Sequence, residues 1–215
     1  PTTEILAALS ITAIIICSLV AIFQTNVKRL LAFSSLAQVG YIILGISFNN
    51  VNGLTASIVH VFNHAISKGA LFLAMGCVAL VIGSVKIKDL SGLGKKMPFT
   101  AFAIVIGGLS LIGVPLTAGF ISKWYLVSSI LDSNVWYISI MVLVTSFMTV
   151  FYAWLLIEKI YFSDLVDSKK YSHFEFRYSF VILLAIASIF LGIDTTLTVD
   201  LSEEISNQFY MVLDK

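Results

Sequence analysis

An all-α, polytopic transmembrane bundle of about six helices, one of them broken, is the fold this sequence predicts, and three observations predict it. Of 215 residues, 59% are hydrophobic and only 12% charged, where soluble domains average about 45–50% and 25%. Mean hydropathy is +0.99. The apolar residues gather into six runs, most of them reaching the roughly 20 residues a helix needs to cross a hydrocarbon core of about 30 Å.

The runs fall near residues 5–23, 30–48, 54–83, 99–131, 135–157 and 179–193. The first is too long and too poorly flanked for a secretory signal peptide. Because the chain starts with Pro1 and not Met, it reads as a fragment or a processed chain. The second run follows the polar turn QTNVKR and the third follows NNVNG. The third and fourth exceed a straight span, which predicts tilt, a break or an extension into water. A tight DSN turn leads into the fifth, and the sixth is short. No Ser/Pro-rich or low-complexity tract divides the chain, so residues 1–215 read as a single bundle in contact with lipid.

Six alternating spans put Lys28, Arg29, Lys86, Lys88, Lys95, Lys96, Lys159, Lys169, Lys170 and Arg177 on one side, with only Lys215 opposite. By the positive-inside rule the basic loops are cytoplasmic and both ends face outward, in a cell inner (plasma) membrane. The C-terminal tail is acidic through Asp194, Asp200, Glu203 and Glu204. Two lysines remain, Lys68 and Lys123, both inside runs.

A lysine at the centre of a span costs about 2.5–3.5 kcal/mol on insertion scales, so each is a functional candidate. In HVFNHAISKGALFL, His60, His64 and Lys68 recur every fourth residue and share one side of a helix, drifting by only about 40° per step. The stripe reads as a proton path, or the histidines as polar glue between helices. Lys123 is either a second member or a side chain that snorkels from a helix end beside Trp124 and Tyr125. In SLIGVPLTAGFISKWYL, Gly113, Pro115 and Gly119 interrupt the fourth run: proline lacks an N–H, and glycine tolerates unusual backbone angles. A broken helix frees backbone groups of the kind that mark ion sites in transporters. A simple proline kink is the alternative. Ser34, Ser35, Gln38 and Tyr41 in the second run are candidate polar or water-holding support, or plain packing residues.

Together, VKRLLAFSSLAQVGY, HVFNHAISKGALFLAMG and GVPLTAGFISKWYL resemble the antiporter-like subunits shared by respiratory complex I and the Mrp-type cation/proton antiporters. The third segment is closest to the Mrp D-type subunit. The resemblance implies the second half of an inverted-repeat transporter fold, the C-terminal repeat plus a final helix. It also implies that His60, His64 and Lys68 belong to a central hydrophilic axis, and that Lys123 passes protons after the broken helix. The implied function is proton translocation in a multi-subunit Mrp-type antiporter. The alternatives are a proton-pumping membrane-arm subunit of NADH-quinone oxidoreductase and a non-conducting structural or assembly subunit. Implied partners are other membrane subunits and protons, with Na⁺ left open; no nucleic acid is expected.

Redox chemistry in the chain itself is disfavoured. Two histidines one turn apart on one helix do not bracket a haem, and no Cys-x-x-Cys or Gly-x-Gly-x-x-Gly is present. A zinc site at His60 and His64 lacks a third ligand. Cys17 and Cys77 sit in apolar runs as packing residues. No metal, cofactor or catalytic redox site is therefore expected, although the chain could still belong to an oxidoreductase complex.

Overall fold

A computed structural model of the chain describes residues 2–164 and 179–213. Its regular structure is helical throughout, apart from an isolated antiparallel bridge between Asn26 and Lys86. Helices α1 (Thr2–Ile22), α2 (Val27–Ser47) and α3 (Val51–Ile82) are joined by short turns. Asn26 starts α2, its side-chain oxygen accepting the backbone N–H groups of Lys28 at 2.9 Å and Arg29 at 3.4 Å. Asn26→Ala removes this cap and is expected to cost about 1 kcal/mol, read as a lower unfolding temperature in detergent. Asn50 does the same for α3 through the N–H of Gly53, at 2.7 Å.

Small residues let these helices close up. A Cβ on Gly40 would lie 2.5 Å from Ile14 Cγ1, and one on Gly53 would lie 2.4 Å from the Gly45 carbonyl oxygen. Such approach is how helices gain contact in a membrane, where hydrophobic association is weak. α3 has 32 residues, about 48 Å at 1.5 Å per residue, and ends at Gly83 in the left-handed region (φ 74°).

The segment after α3, read in the sequence as a basic loop, is instead folded against the end of the bundle. It holds a 3₁₀ turn (Ile87–Leu90) and the short α4 (Leu93–Lys96), with Ile87, Leu90, Leu93 and Met97 buried. The fourth run is two helices, α5 (Pro98–Ile112) and α6 (Ala118–Asp132), followed by α7 (Trp136–Tyr161). α8 (Ser179–Ile193) matches the sixth run.

A further element has no counterpart in the sequence expectation. α9 (Thr196–Leu213) follows α8 with a bend of 66°, and the pair together is long and apolar enough to be one bent span. The acidic stretch expected to trail outward is therefore a helix laid on α3. Thr55 donates to Ser206 at 3.1 Å, and Tyr210 donates to Asn49 at 3.4 Å. The buried stripe Thr198, Ser202 and Ser206 recurs every fourth residue and makes this approach possible. Gly192, just before the bend, backs onto the α5–α6 break, where a Cβ would lie 2.6 Å from the Leu116 carbonyl oxygen.

α1, α2, α3 and α7 are each long and apolar enough to cross a membrane, and the protein is a membrane protein. Lys169, Lys170, Arg177 and Lys215, used above to assign sides, lie outside the described residues.

The core is two apolar clusters. One contains Leu30, Leu31, Leu71, Met75 and Ile104; the other contains Tyr41, Leu44, Ala56, Leu126 and Ile130. On α2 and α3 the buried polar residues Ser34, Gln38, His60, Asn63, Ser67 and Lys68 fall between the clusters. A polar layer is thus enclosed between two apolar ones.

A buried lysine–histidine row on a broken helix

α3 carries Lys68 near its middle with 5% of its surface exposed. Its ammonium donates to the Leu31 carbonyl at 3.0 Å and to the Ser34 hydroxyl, both on the first turns of α2. One turn earlier, His64 is half-buried, and its ring stacks on His60 with centroids 6.4 Å apart and planes 12° from parallel. His60 is buried. Its Nδ1 meets the Ser122 hydroxyl at 2.8 Å and its Nε2 meets Gln38 Oε1 at 3.1 Å. A hydroxyl can donate or accept, and an amide can present either its oxygen or its NH₂, so this setting accommodates either imidazole tautomer.

Ser122 is followed in the chain by Lys123, which is buried on α6 and does not snorkel to the surface. Its ammonium donates to the carbonyls of Leu111 at 2.9 Å and Ile112 at 2.8 Å and to the Ser146 hydroxyl at 3.1 Å. It also lies 5.1 Å from the centroid of the Tyr41 ring, whose hydroxyl is paired with Thr145 at 2.7 Å. Leu111 and Ile112 are the last residues of α5. Carbonyls at a helix C-terminus lack intrahelical partners and carry the negative end of the helix dipole, so the break supplies a ready acceptor for a cation.

The break is built differently from a proline kink. α5 stops at Gly113, which adopts φ 87°, and the N–H groups of Gly113 and Val114 both fold back on the Leu109 carbonyl. Pro115 then sits second in a tight turn, closed by the Thr117 N–H on the Val114 carbonyl at 3.2 Å, the position proline favours. Leu116 takes φ 70°, a left-handed angle more usual for glycine. Gly119 lies beyond the turn and joins the two helices: its N–H donates to Ser110 Oγ at 3.1 Å where α5 and α6 pass.

Several groups at this site lay outside the sequence reading. Asn63 donates to the Ala118 carbonyl at 2.5 Å, and Ser67 pairs with Ser110 at 2.7 Å. Ser122 meets His60, and Ser146 receives the Lys123 ammonium. Asn63 and Ser67 repeat at the same four-residue spacing as the histidines, a signal present in the sequence. Ser122 and Ser146 carried none. Ser35, by contrast, bonds only to the Leu31 carbonyl of its own helix at 2.8 Å. Gln38 Nε2, Asn63 Oδ1 and His64 Nδ1 are buried without a protein partner. Among the described residues neither buried lysine is paired with a carboxylate, and no cluster of three metal-ligating side chains occurs.

Fold and site define a polytopic membrane protein with a row of titratable side chains enclosed in its bundle and anchored on a broken helix. The chain belongs to the NADH:quinone oxidoreductase/Mrp antiporter transmembrane family, which it matches over residues 2–149. It is 41% identical over 165 residues to NADH-quinone oxidoreductase subunit N of Desulforudis audaxviator, covering 77% of this chain and 33% of that protein. The chain spans about a third of the length of the curated relatives it matches. A chain of the membrane-bound sulfane sulfur reductase, an archaeal respiratory membrane complex, superposes with a TM-score of 0.88 at 31% identity, covering 96% of this chain and 42% of that one. A chain of the Mrp complex from Dietzia sp. has the same TM-score, 0.88, at 23% identity, covering 97% and 47%; at that identity the likeness is one of fold.

Proposed function

We propose that this chain is the proton-handling part of a membrane-arm subunit in a complex of the NADH-quinone oxidoreductase type. This reverses the preference drawn from the sequence for an Mrp-type antiporter. The relative at 41% identity is a quinone oxidoreductase subunit, whereas the Mrp likeness, at 23%, carries the fold alone. The observation that carries proton handling is the row Lys68, His64, His60, Ser122, Lys123, buried except at half-buried His64 and held at both ends by neutral acceptors.

The chemistry follows from those acceptors. Carbonyls and hydroxyls stabilise an ammonium yet leave a neutral amine tolerable, since neither brings a fixed negative charge that holds the proton. His60 and His64 lie between the lysines along the row, and the unpartnered Gln38, Asn63 and His64 atoms are polar groups of the kind that ordered water satisfies. Charges enclosed together repel, so a proton arriving at one lysine favours release from the other. In this reading the subunit lies in the plasma membrane among other membrane subunits. The end bearing Lys28, Arg29, Lys86, Lys88, Lys95, Lys96 and Lys159 is cytoplasmic. Protons are the cargo, and electrons stay in other subunits.

The test is proton uptake into inverted vesicles holding the assembled complex. The oxidoreductase reading expects uptake that begins on adding electron donor and quinone, needs no Na⁺, and falls at least tenfold in Lys123→Gln. Uptake driven by a Na⁺ gradient without donor restores the antiporter reading. Unchanged uptake in Lys123→Gln leaves the chain a structural subunit.

A further inference from the structure

A second charged feature lies away from the lysine–histidine row, at the basic end of the bundle. There a cavity of about 420 Å³ is lined by Gln24, Thr25, Lys86, Ile87, Lys88, Leu155 and Lys159. Three of its lining residues are cationic and none is acidic. Asp89, beside Lys88, is turned to the Ser84 hydroxyl, and Glu158, beside Lys159, is not part of the lining. Among the described residues no ion pair neutralises Lys86, Lys88 or Lys159.

The cavity is built, not incidental. The turn after α1 and the segment after α3 form its walls, and they are tied by backbone hydrogen bonds from Val27 to the Val85 carbonyl at 2.9 Å and from Ile87 to the Thr25 carbonyl at 3.0 Å. The α7 wall is tied to the segment leading into α4, Gly92 donating to the Lys159 carbonyl at 3.1 Å. Three positive groups held in one place, with no negative partner among the described residues, call for an anion.

Depth and surroundings indicate which anion. The cavity opens where α1 and α7, both membrane-spanning, come to an end. Exposed Phe23, Trp154 and Phe162 surround that level, as aromatic side chains do at a membrane–water boundary. Ile87 and Leu155 give the lining an apolar part. Below it, Leu19 on α1 and Phe151 on α7 are exposed apolar side chains against which acyl chains can lie. Basic pockets between transmembrane helices at this level suit phosphate-bearing lipid headgroups. We propose that Lys86, Lys88 and Lys159 bind the headgroup of an anionic phospholipid whose chains run along the α1–α7 side of the bundle. An acidic protein segment has the charge but no use for the aromatic rim and the apolar surface below.

The experiment uses the full-length protein purified in neutral detergent, with phosphatidylglycerol, phosphatidylcholine of the same chains and inorganic phosphate as probes, and retention read by native mass spectrometry. Phosphatidylglycerol is expected to be retained over phosphatidylcholine. The preference should weaken about fivefold for each lysine changed to glutamine, on the order of a hundredfold for all three. Arginine at the three positions should keep it. A control carrying Lys28→Gln, Arg29→Gln and Lys95→Gln removes equal charge from the same end outside the cavity and should leave it unchanged. Lys88→Gln alone, at an exposed side chain, serves if the triple variant does not fold. Equal retention of both lipids, equal loss in the control, or displacement by inorganic phosphate at matched concentration each overturns the lipid site, the last assigning a free anion. Wild-type protein that takes up no phosphatidylglycerol in the assembled complex assigns the cavity to a neighbouring subunit.

Discussion

Lys68→Met in the full-length protein is expected to cut proton-coupled transport to a few per cent of wild type or less, with the complex still assembled. Methionine keeps much of the volume of a side chain that is 5% exposed, so packing against α2 survives. What goes is the exchangeable proton and the donation to the Leu31 carbonyl and Ser34 hydroxyl. A positioned proton-transfer group contributes about a hundredfold or more, which sets the scale. Lys68→Arg separates charge from exchange, because a guanidinium keeps its proton at any accessible pH. It should fail as completely as methionine. Near-normal uptake with arginine makes Lys68 a fixed electrostatic element and moves the path to His60, His64 and bound water. Normal uptake in both variants ends the transport role of this residue. Uptake is measured in inverted vesicles and normalised to assembled complex.

The second large effect is structural. Gly119→Ala would place a Cβ 1.8 Å from the Ser110 carbonyl oxygen and 2.8 Å from its carbon. Both are backbone atoms of α5, so no side chain can rotate away, and the two halves of the broken helix must separate. Overpacking usually costs about 1–3 kcal/mol, and a clash with backbone belongs at the upper end. Separation also breaks the hydrogen bond from Gly119 to Ser110 Oγ and shifts Lys123 from its acceptors at the end of α5. Thermal unfolding in detergent should show a clear loss of stability, and transport should fall with it. Gly76→Ala is the internal control. Nothing lies within 4 Å of a Cβ there, and alanine is favoured over glycine in a helix by about 1 kcal/mol, so stability should hold or rise. Equal behaviour of the two variants shows that the halves are not clamped at Gly119.

Much of the fold was legible because crossing a membrane imposes a length on apolar runs, and the runs near 5–23, 30–48 and 179–193 correspond closely to α1, α2 and α8. A break or kink in the fourth run was legible because Pro115 removes a helical hydrogen bond and Gly113 tolerates unusual backbone angles; that it is a full break rests on the turn the structure shows there. α9 was missed because its charges conceal the stripe Thr198, Ser202 and Ser206, and polar residues bury on an amphipathic helix only if a neighbour such as Thr55 receives them. The folded basic segment between α3 and α5 was missed because its buried residues, Ile87, Leu90, Leu93 and Met97, follow no helical or strand period over a useful length.

By itself the sequence determined that this is a membrane bundle, which helix is broken or kinked, and that Lys68, His60 and His64 share a side, because all three depend on interactions local in the chain. Tertiary structure alone decided what each side chain meets. Ser34 receives Lys68 while Ser35 bonds only to its own helix, although they are adjacent serines. His60 reaches Ser122, and Lys123 reaches Ser146 and the end of α5, across helix interfaces. Neighbours on a helix point about 100° apart, and which of them faces a partner depends on the rotation and tilt of whole helices. Those are set by close contacts such as Gly40 on Ile14 and Gly119 on Ser110, between residues far apart in sequence.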